Sequence, residues 1–418
     1  MDLSFTADEQ AFAAEARGWL AQNVELPPPF TDVDDEVAWG RAWQAKLAAS
    51  RWVGLHWPER YGGRGLPPAA VAIFNLEYAR AGAPQPVNRV GLNLVGPTLL
   101  AHGTEEQRQR WLPSILSAAE IWCQLFSEPE AGSDLASLRT AARRVPGAVD
   151  RAGDGTAAPV EGSGGEADAG GGWTLSGQKV WTSYARHACW GLALARTGRP
   201  SDRHQGISCF VVDMQAPGVD VRPLVQITGE AEFGEVFLED VYVPDDHMVG
   251  TVGEGWAVAS TTLAHERGTS FPFKEQVVHE VLLDALYREA AIRGRLDDPV
   301  MGDRLAQAFV ELRILRLHNW RTLSRLARGE PAGAESSWVK LAWSTMSQHL
   351  ADTALDLLGP DAAITATPWA RQWLWSRAAS IAGGTSEIQR TIIGERLLGL
   401  PRYPAEIGAE TGQGTAMS

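Results

Sequence analysis

The sequence predicts an α+β protein in three consecutive parts, helical, then β, then helical, and three observations carry that expectation. Apolar residues recur at helical spacing through about the first hundred residues, and again from about 252 to 400. Between them, from about 121 to 243, short alternating or β-rich runs are punctuated by Gly, Pro and Asp. With 418 residues the chain is too long for one typical core, so two or three structural units are expected.

The first part opens on Thr6 and Glu9, spaced as a capping box. Phe12, Ala16, Trp19 and Leu20 then follow at helical spacing, and Pro27-Pro28-Pro29 stops the helix. Further helices are expected over 34–50, 68–82, 88–102 and 105–119, with Tyr61-Gly62-Gly63-Arg64-Gly65 as a loop between them. The middle part shows strand-like runs at 122–126, 173–175, 189–195, 207–213 and 235–241, consistent with a small barrel or sandwich. Residues 146–172 are mostly Gly, Ala, Asp and Glu, and read as an enlarged, mobile hairpin tip. The last part has long amphipathic stretches at 252–268, 273–294, 300–328, 333–358 and 385–398. In the third of these Leu305, Phe309, Leu312, Leu315 and Leu323 fall near one face, and helices of this length form a bundle. The units expected are therefore 1–120, 121–243 and 244–404, with a disordered tail at 405–418.

Composition narrows the function classes. Hydrophobic residues make up 44% and charged residues 21%, the balance of a globular protein. No run of about 18 apolar residues suggests a membrane span, and the N-terminus has no signal-like pattern. The net charge of −14 argues against a nucleic-acid partner, which needs a basic footprint. Three scattered cysteines, Cys123, Cys189 and Cys209, suit neither a disulfide framework nor a metal site, so no metal is expected and a reducing cytoplasm is the simplest location.

Four stretches have the residue types for chemistry. Ser127-Glu128-Pro129-Glu130-Ala131-Gly132-Ser133-Asp134 follows a strand and offers hydroxyls and free backbone N–H groups to a polar cofactor edge; taken alone, its plainer reading is a capped turn. Gly177-Gln178-Lys179-Val180-Trp181-Thr182-Ser183-Tyr184-Ala185 puts an indole and two hydroxyls on a strand, suited to stacking on a planar ring; the alternative is a core Trp. His265-Glu266-Arg267-Gly268 places a carboxylate beside an Arg on a helix, as a base or as a solvated ion pair. Gly383-Gly384-Thr385-Ser386-Glu387 combines a glycine turn with a helix start, where a ligand can approach closely or where the chain simply turns.

In this order the four stretches resemble the acyl-CoA dehydrogenase family over about residues 1–400, and GISCFVV (206–212), GTVGEGW (250–256) and GERLLGL (394–400) add support. The resemblance implies an N-terminal helical domain, a middle β-barrel and a C-terminal four-helix bundle, with FAD between the last two. It implies that Ser127 bonds the flavin pyrimidine edge, that Ser133 sits near the pyrophosphate, that Trp181 packs on the ring, and that Ser183 approaches N5. Thr385 and Glu387 would contact the cofactor from the C-terminal helix. The implied reaction removes the α-proton of an acyl thioester with a carboxylate and passes the β-hydride to flavin N5, giving a 2,3-enoyl thioester.

Many members carry the base just before the C-terminal Gly-Thr; here that position is Gly383. A subgroup with isovaleryl-type placement puts it on the first bundle helix before an Arg, which Glu266 and Arg267 match. Gly383 then leaves room beside the substrate. The adenine-side Arg-x-x-Phe corresponds to Arg293-Gly294-Arg295-Leu296, with Leu in place of Phe, and the Gln-containing double-Gly loop to Asp356-Leu357-Leu358-Gly359-Pro360. The Gln and the second Gly are missing, which puts the adenine half of the site in question for this chain alone. The resemblance implies a homo-oligomer, or, as in relatives that form mixed tetramers, a base-bearing subunit beside a related partner chain. An oxidase or flavin monooxygenase using O2 shares the resemblance. The substrate would be an acyl-CoA or a carrier-protein acyl thioester, and the electron acceptor an electron-transferring flavoprotein.

Overall fold

The computed structural model describes residues 5–28, 30, 33–147, 171–267, 271–330, 333–364 and 367–401. The expected hairpin tip at 146–172 falls mostly outside the described residues, and the expected tail at 405–418 falls wholly outside them.

Five α-helices open the chain: α1 (Ala7–Asn23), α2 (Val33–Ala49), α3 (Pro68–Arg80), α4 (Gly96–His102) and α5 (Glu105–Ser117). The Thr6–Glu9 capping box forms, with the Thr6 hydroxyl accepting from Glu9 N–H and Glu9 accepting from Thr6 N–H. A π turn, Gly91–Val95, precedes α4, and Gly96 N–H reaches back to Gly91 O. Pro97 has no N–H to offer the turn below it, so the helix is free to widen there.

One eight-stranded sheet follows, of β1 (Trp122–Leu125), β2 (Ala141–Val145), β3 (Gly172–Ser183), β4 (Trp190–Arg196), β5 (Ile207–Asp213), β6 (Val219–Leu224), β7 (Phe233–Pro244) and β8 (Met248–Val249). The order is β6-β7-β3-β2-β4-β5-β8, and β1 lies parallel on β4 with Trp122 opposite Trp190. Both faces of β4 and β5 are covered. Leu192 and Leu194 join a core shared with the N-terminal helices, while Ala193 and Ala195 join the core inside the sheet. That is why these strands read as unbroken apolar runs rather than as alternating ones.

The C-terminal part holds α6 (Gly255–Arg267), α7 (Phe271–Ile292), α8 (Pro299–Ala327), α9 (Glu335–Leu358), α10 (Pro360–Ile364), α11 (Pro368–Ser376) and α12 (Ser386–Ile392). Leu305, Leu312 and Leu315 of α8 pack against Trp343, Met346 and Leu350 of α9. Phe309 departs from the expected stripe: it is 50% exposed, with the Arg313 guanidinium over its ring. It sits at the edge of the apolar face, beside exposed Val310 and Ile314. The short helices α10 and α11 were not expected, because both are below the length at which periodicity is readable. They are set by Pro360 and Pro368 at their first turns, and Thr367 caps α11.

Trp57 anchors the loop that runs into the core from α2. It is fully buried, and its backbone and ring leave no space beside Gly63 and Gly96: an added Cβ would lie 2.1 Å from Trp57 O and 2.2 Å from Trp57 Cζ2 respectively. Gly96→Ala should therefore cost about 1–3 kcal/mol of stability by overpacking, read as a lower urea midpoint with an unchanged slope.

Candidate active site

Two of the sequence motifs are joined by a buried ion pair. Lys179 of β3 is fully buried and donates to Glu128 Oε1 (2.8 Å), Leu194 O (2.8 Å) and Phe126 O (3.3 Å), using all three of its N–H bonds. Glu128 also accepts from Arg139 N–H (2.6 Å) and Thr140 N–H (2.9 Å). Burial works against the Glu128 charge, but Lys179 and these donors hold the carboxyl below the usual range. One residue on, Val180 N–H donates to Ser127 O (2.9 Å). The loop 127–134 and the end of β3 thus form one unit.

That unit presents Trp181. The pairing of β3 with β7 slips between Lys179 and Thr182, and Trp181 takes φ 58°, a left-handed conformation rare for a bulky residue. The bulge turns the indole outward: Trp181 is 62% exposed and makes an edge contact with Phe233 at 6.1 Å. It is therefore not a core tryptophan. The hydroxyls of Ser127, Ser133 and Ser183 make no hydrogen bond among the described residues, and Gly132 has open space where a Cβ would stand. An outward indole, three uncommitted hydroxyls and an open small-residue loop fit a planar cofactor with a polar rim.

The third motif comes from the bundle. Gly383 and Gly384 have φ 65° and 86°, both left-handed, so glycine is required in succession. Thr385 then caps α12 by accepting from Ile388 N–H (3.3 Å), while Gln389 Nε2 donates to Gly383 O (3.0 Å) and Gly384 O (3.2 Å). Glu387 points to solvent beside Arg390 at 3.4 Å. Arg293, at the far end of α7, pairs with Glu289 (2.6 Å) and Asp361 (3.2 Å) and does not line the cavity described next.

Ser183 and Gly383 line the same cavity, of about 380 Å³, between the N-terminal helices, the strand end and the bundle. Trp52, Phe74, Trp343 and Trp375 supply much of its apolar wall. Arg89, Tyr184, Glu232 and His265 also open into it. His265 is the residue before Glu266 in the last turn of α6. The side chains of Glu266 and Arg267 lie outside the described residues. His56 lines the cavity too and is exposed to that space; the protein crowded around its ring, with the charge of His265 adding to the effect, lowers it to about 4. Burial lowers His265 as well.

Sequence reasoning missed Arg89, Tyr184, Glu232 and His56. Tyr184 lies inside a recognised motif without having been given a role, but Arg89, Glu232 and His56 belong to segments without pattern, and only the packing brings them together. Lys179 and Glu128 were inside the quoted motifs; the signal for their pairing was a lysine amid apolar strand residues.

An outward indole and a small-residue loop on the sheet, beside a largely apolar cavity that the bundle also lines, suit a protein that holds a planar cofactor next to its substrate space. Family models agree: the acyl-CoA dehydrogenase N-terminal domain matches residues 6–119, the middle domain 152–241 and the C-terminal domain 253–398. The chain belongs to the acyl-CoA dehydrogenase family. It is 41% identical to acyl-CoA dehydrogenase IpdE1 of Mycobacterium tuberculosis, over 94% of this chain and 98% of that protein. Among solved structures it is similar to the Tcur3481-Tcur3483 steroid ACAD (27% identity, TM-score 0.79, covering 96% of this chain and 100% of that one). It is also similar to the ChsE4-ChsE5 complex from Mycobacterium tuberculosis (28% identity, TM-score 0.76, 96% and 100%). The protein is thus an FAD-dependent oxidoreductase of the acyl-CoA dehydrogenase type. Among the described residues no helix is long and apolar enough to cross a membrane, and no cluster of metal ligands occurs.

Lys179→Met should lower stability by about 3–5 kcal/mol, since it strands a buried carboxylate, and Glu128→Leu added to it should recover part of that loss in denaturant unfolding. The His56 ring binds its proton less readily when folded than when unfolded, where the ordinary value is 6.5. Its contribution is therefore intact above pH 6.5 and is lost as pH falls from 6.5 towards about 4. His56→Asn should flatten the pH dependence of the unfolding midpoint across that window.

Proposed function

We propose that this chain dehydrogenates an acyl-CoA thioester between Cα and Cβ, with Glu266 as the base that removes the α-proton. The supporting observation is convergence: the strand end at Ser183, the glycine turn at Gly383 and the last turn of α6 at His265 all open on one cavity. FAD, when bound, accepts the β-hydrogen with its electron pair. The chain's own residues do the rest. Trp181 and Ser183 hold the ring face, Ser127 its pyrimidine edge and Ser133 the pyrophosphate side. Thr385 and Glu387 contact the cofactor from α12, and Arg293 serves its adenine end.

Glu266 needs a water-poor surrounding to act on a weakly acidic carbon, and the tryptophan-lined wall supplies one. Arg267 follows it and assists in placing the thioester. Gly383, where many relatives carry the base, leaves the cavity wide at that point. A wide cavity with an aromatic wall suits a bulky acyl group, in keeping with a structural relative that is named a steroid ACAD.

We infer that the chain works in an oligomer with copies of itself or with a related chain. Two of its structural relatives are named as pairs of chains, and Val310, Ile314 and Leu317 leave an apolar stripe exposed on α8. An electron-transferring flavoprotein is the expected acceptor.

The test is anaerobic. The purified chain, alone and with a co-expressed relative, is titrated with a panel of acyl-CoA thioesters while its visible spectrum is followed. One thioester should bleach the flavin, and Glu266→Gln should slow the bleaching by about 10²–10⁴-fold with FAD content unchanged. Bleaching at an unaltered rate in Glu266→Gln would remove Glu266 from the role of base.

A further inference from the structure

Among the residues lining the cavity is a polar cluster that the dehydrogenation does not use. Arg89, at the start of the helical run that leads into the Gly91–Val95 turn, donates through Nη2 to Tyr184 Oη (2.8 Å) and to Glu232 Oε1 (3.1 Å). Its guanidinium lies over the Tyr184 ring at 5.4 Å. The three groups come from three places: an N-terminal helix, the residue after β3, and the residue before β7.

Both bonds leave from one nitrogen. An arginine has five N–H donors, and among the described residues those on Nη1 and Nε meet no acceptor, although the side chain is only 35% exposed. Arg89 lines the cavity, so these donors are available to a ligand oxygen that takes the place of water there. The backbone on either side of the cluster is also firmly held. Asn88, the preceding residue, is fully buried and makes five hydrogen bonds: N–H to Gln44 Oε1 (2.9 Å), Nδ2 to Ile115 O (3.1 Å) and Glu120 O (2.9 Å), Oδ1 from Trp122 N–H (3.0 Å), and O from Leu92 N–H (2.9 Å). Tyr184 has φ 56° and is held by its N–H to Glu232 O (2.9 Å). This is the rigid support that a recognition group requires.

Charge decides the class of ligand. Glu232 already offsets the Arg89 charge, and the other fixed charges on the lining, Glu275 and the buried Lys340, are of opposite sign, so a carboxylate arriving at Arg89 would add an unmatched negative charge beside Glu232. A neutral acceptor oxygen would not. We propose that Arg89, braced by Tyr184 and Glu232, recognises a neutral oxygen substituent, a ketone or hydroxyl, on the acyl group. The proposal rests on the acyl-thioester reading above and narrows its substrate to oxygen-bearing acyl groups.

The experiment is equilibrium binding to the FAD-loaded enzyme without O2, read by calorimetry and by perturbation of the flavin spectrum. The probes are octanoyl-CoA, a set of its oxo derivatives with the ketone moved along the chain, and the analogue ending in a carboxylate. One oxo isomer should bind on the order of ten- to a hundredfold more tightly than octanoyl-CoA, as expected for a charged donor gaining an acceptor. Arg89→Leu should bring that ratio close to one. Equal affinity for octanoyl-CoA and every oxo isomer in the unmodified enzyme would overturn the proposal, with no variant needed. So would a preference that survives in Arg89→Leu, or tightest binding by the carboxylate analogue. Binding is read apart from flavin bleaching. Selective binding without bleaching would uphold Arg89 and overturn the dehydrogenase reading instead.

Discussion

The Lys179–Glu128 ion pair is the constraint on which the rest of the site depends. A buried pair contributes little net stability when its desolvation cost is counted. Its effect here is specification. Lys179 spends its three donors on the residue after β1, on β4 and on the Glu128 loop, while Glu128 spends its oxygens on Lys179 and on the backbone that leads into β2. Any other register of β3 would leave an ammonium or a carboxylate buried and unpaired. Two residues beyond this fixed point the strand bulges, so the direction of the Trp181 indole follows from the position of Lys179.

The strained conformations lie just downstream. Trp181 and Tyr184 both adopt positive φ, a conformation that costs each about 1–3 kcal/mol. The surrounding contacts are dense enough to hold them. Val180 is tied to Ser127, Tyr184 to Glu232, and the twelve-residue β3 is paired along most of its length with β7. Strain at the site is thus met by the regularity of the sheet around it, which links the fold's stability to the exposure of one side chain.

Much of this was legible in the sequence, for identifiable reasons. The helical segments were readable because long amphipathic helices repeat every three to four residues, as Leu305, Leu312 and Leu315 do. The Gly383-Gly384 turn was readable because two successive left-handed residues leave glycine as the residue that fits. Phe309 was misjudged because periodicity gives a direction but not the width of the face that a neighbour covers. The short helices α10 and α11 carry too few turns to show a period. The cavity's polar groups were not legible at all. Arg89 and Glu232 stand 143 residues apart, and neither has a local pattern that distinguishes it from a surface charge.

The cavity also explains how an acidic chain can house a site for an apolar group. Its net charge of −14 is carried elsewhere. Inside, Arg89 is matched by Glu232, the buried Lys340 and Glu275 stand on the same lining with opposite charges, and His56, lowered to about 4, is uncharged near neutral pH. The space is therefore close to electrically balanced before any ligand enters, and a neutral acyl group can fill it without stranding a charge. The same balance limits what the site tolerates. Removing either member of the Arg89–Glu232 pair leaves the other uncompensated in a poorly solvated space. The charge pair at the wall and the ion pair beneath the strand therefore follow one rule: each buried charge is kept only where a second element supplies its partner, and in both cases that element is one whose position the chemistry requires.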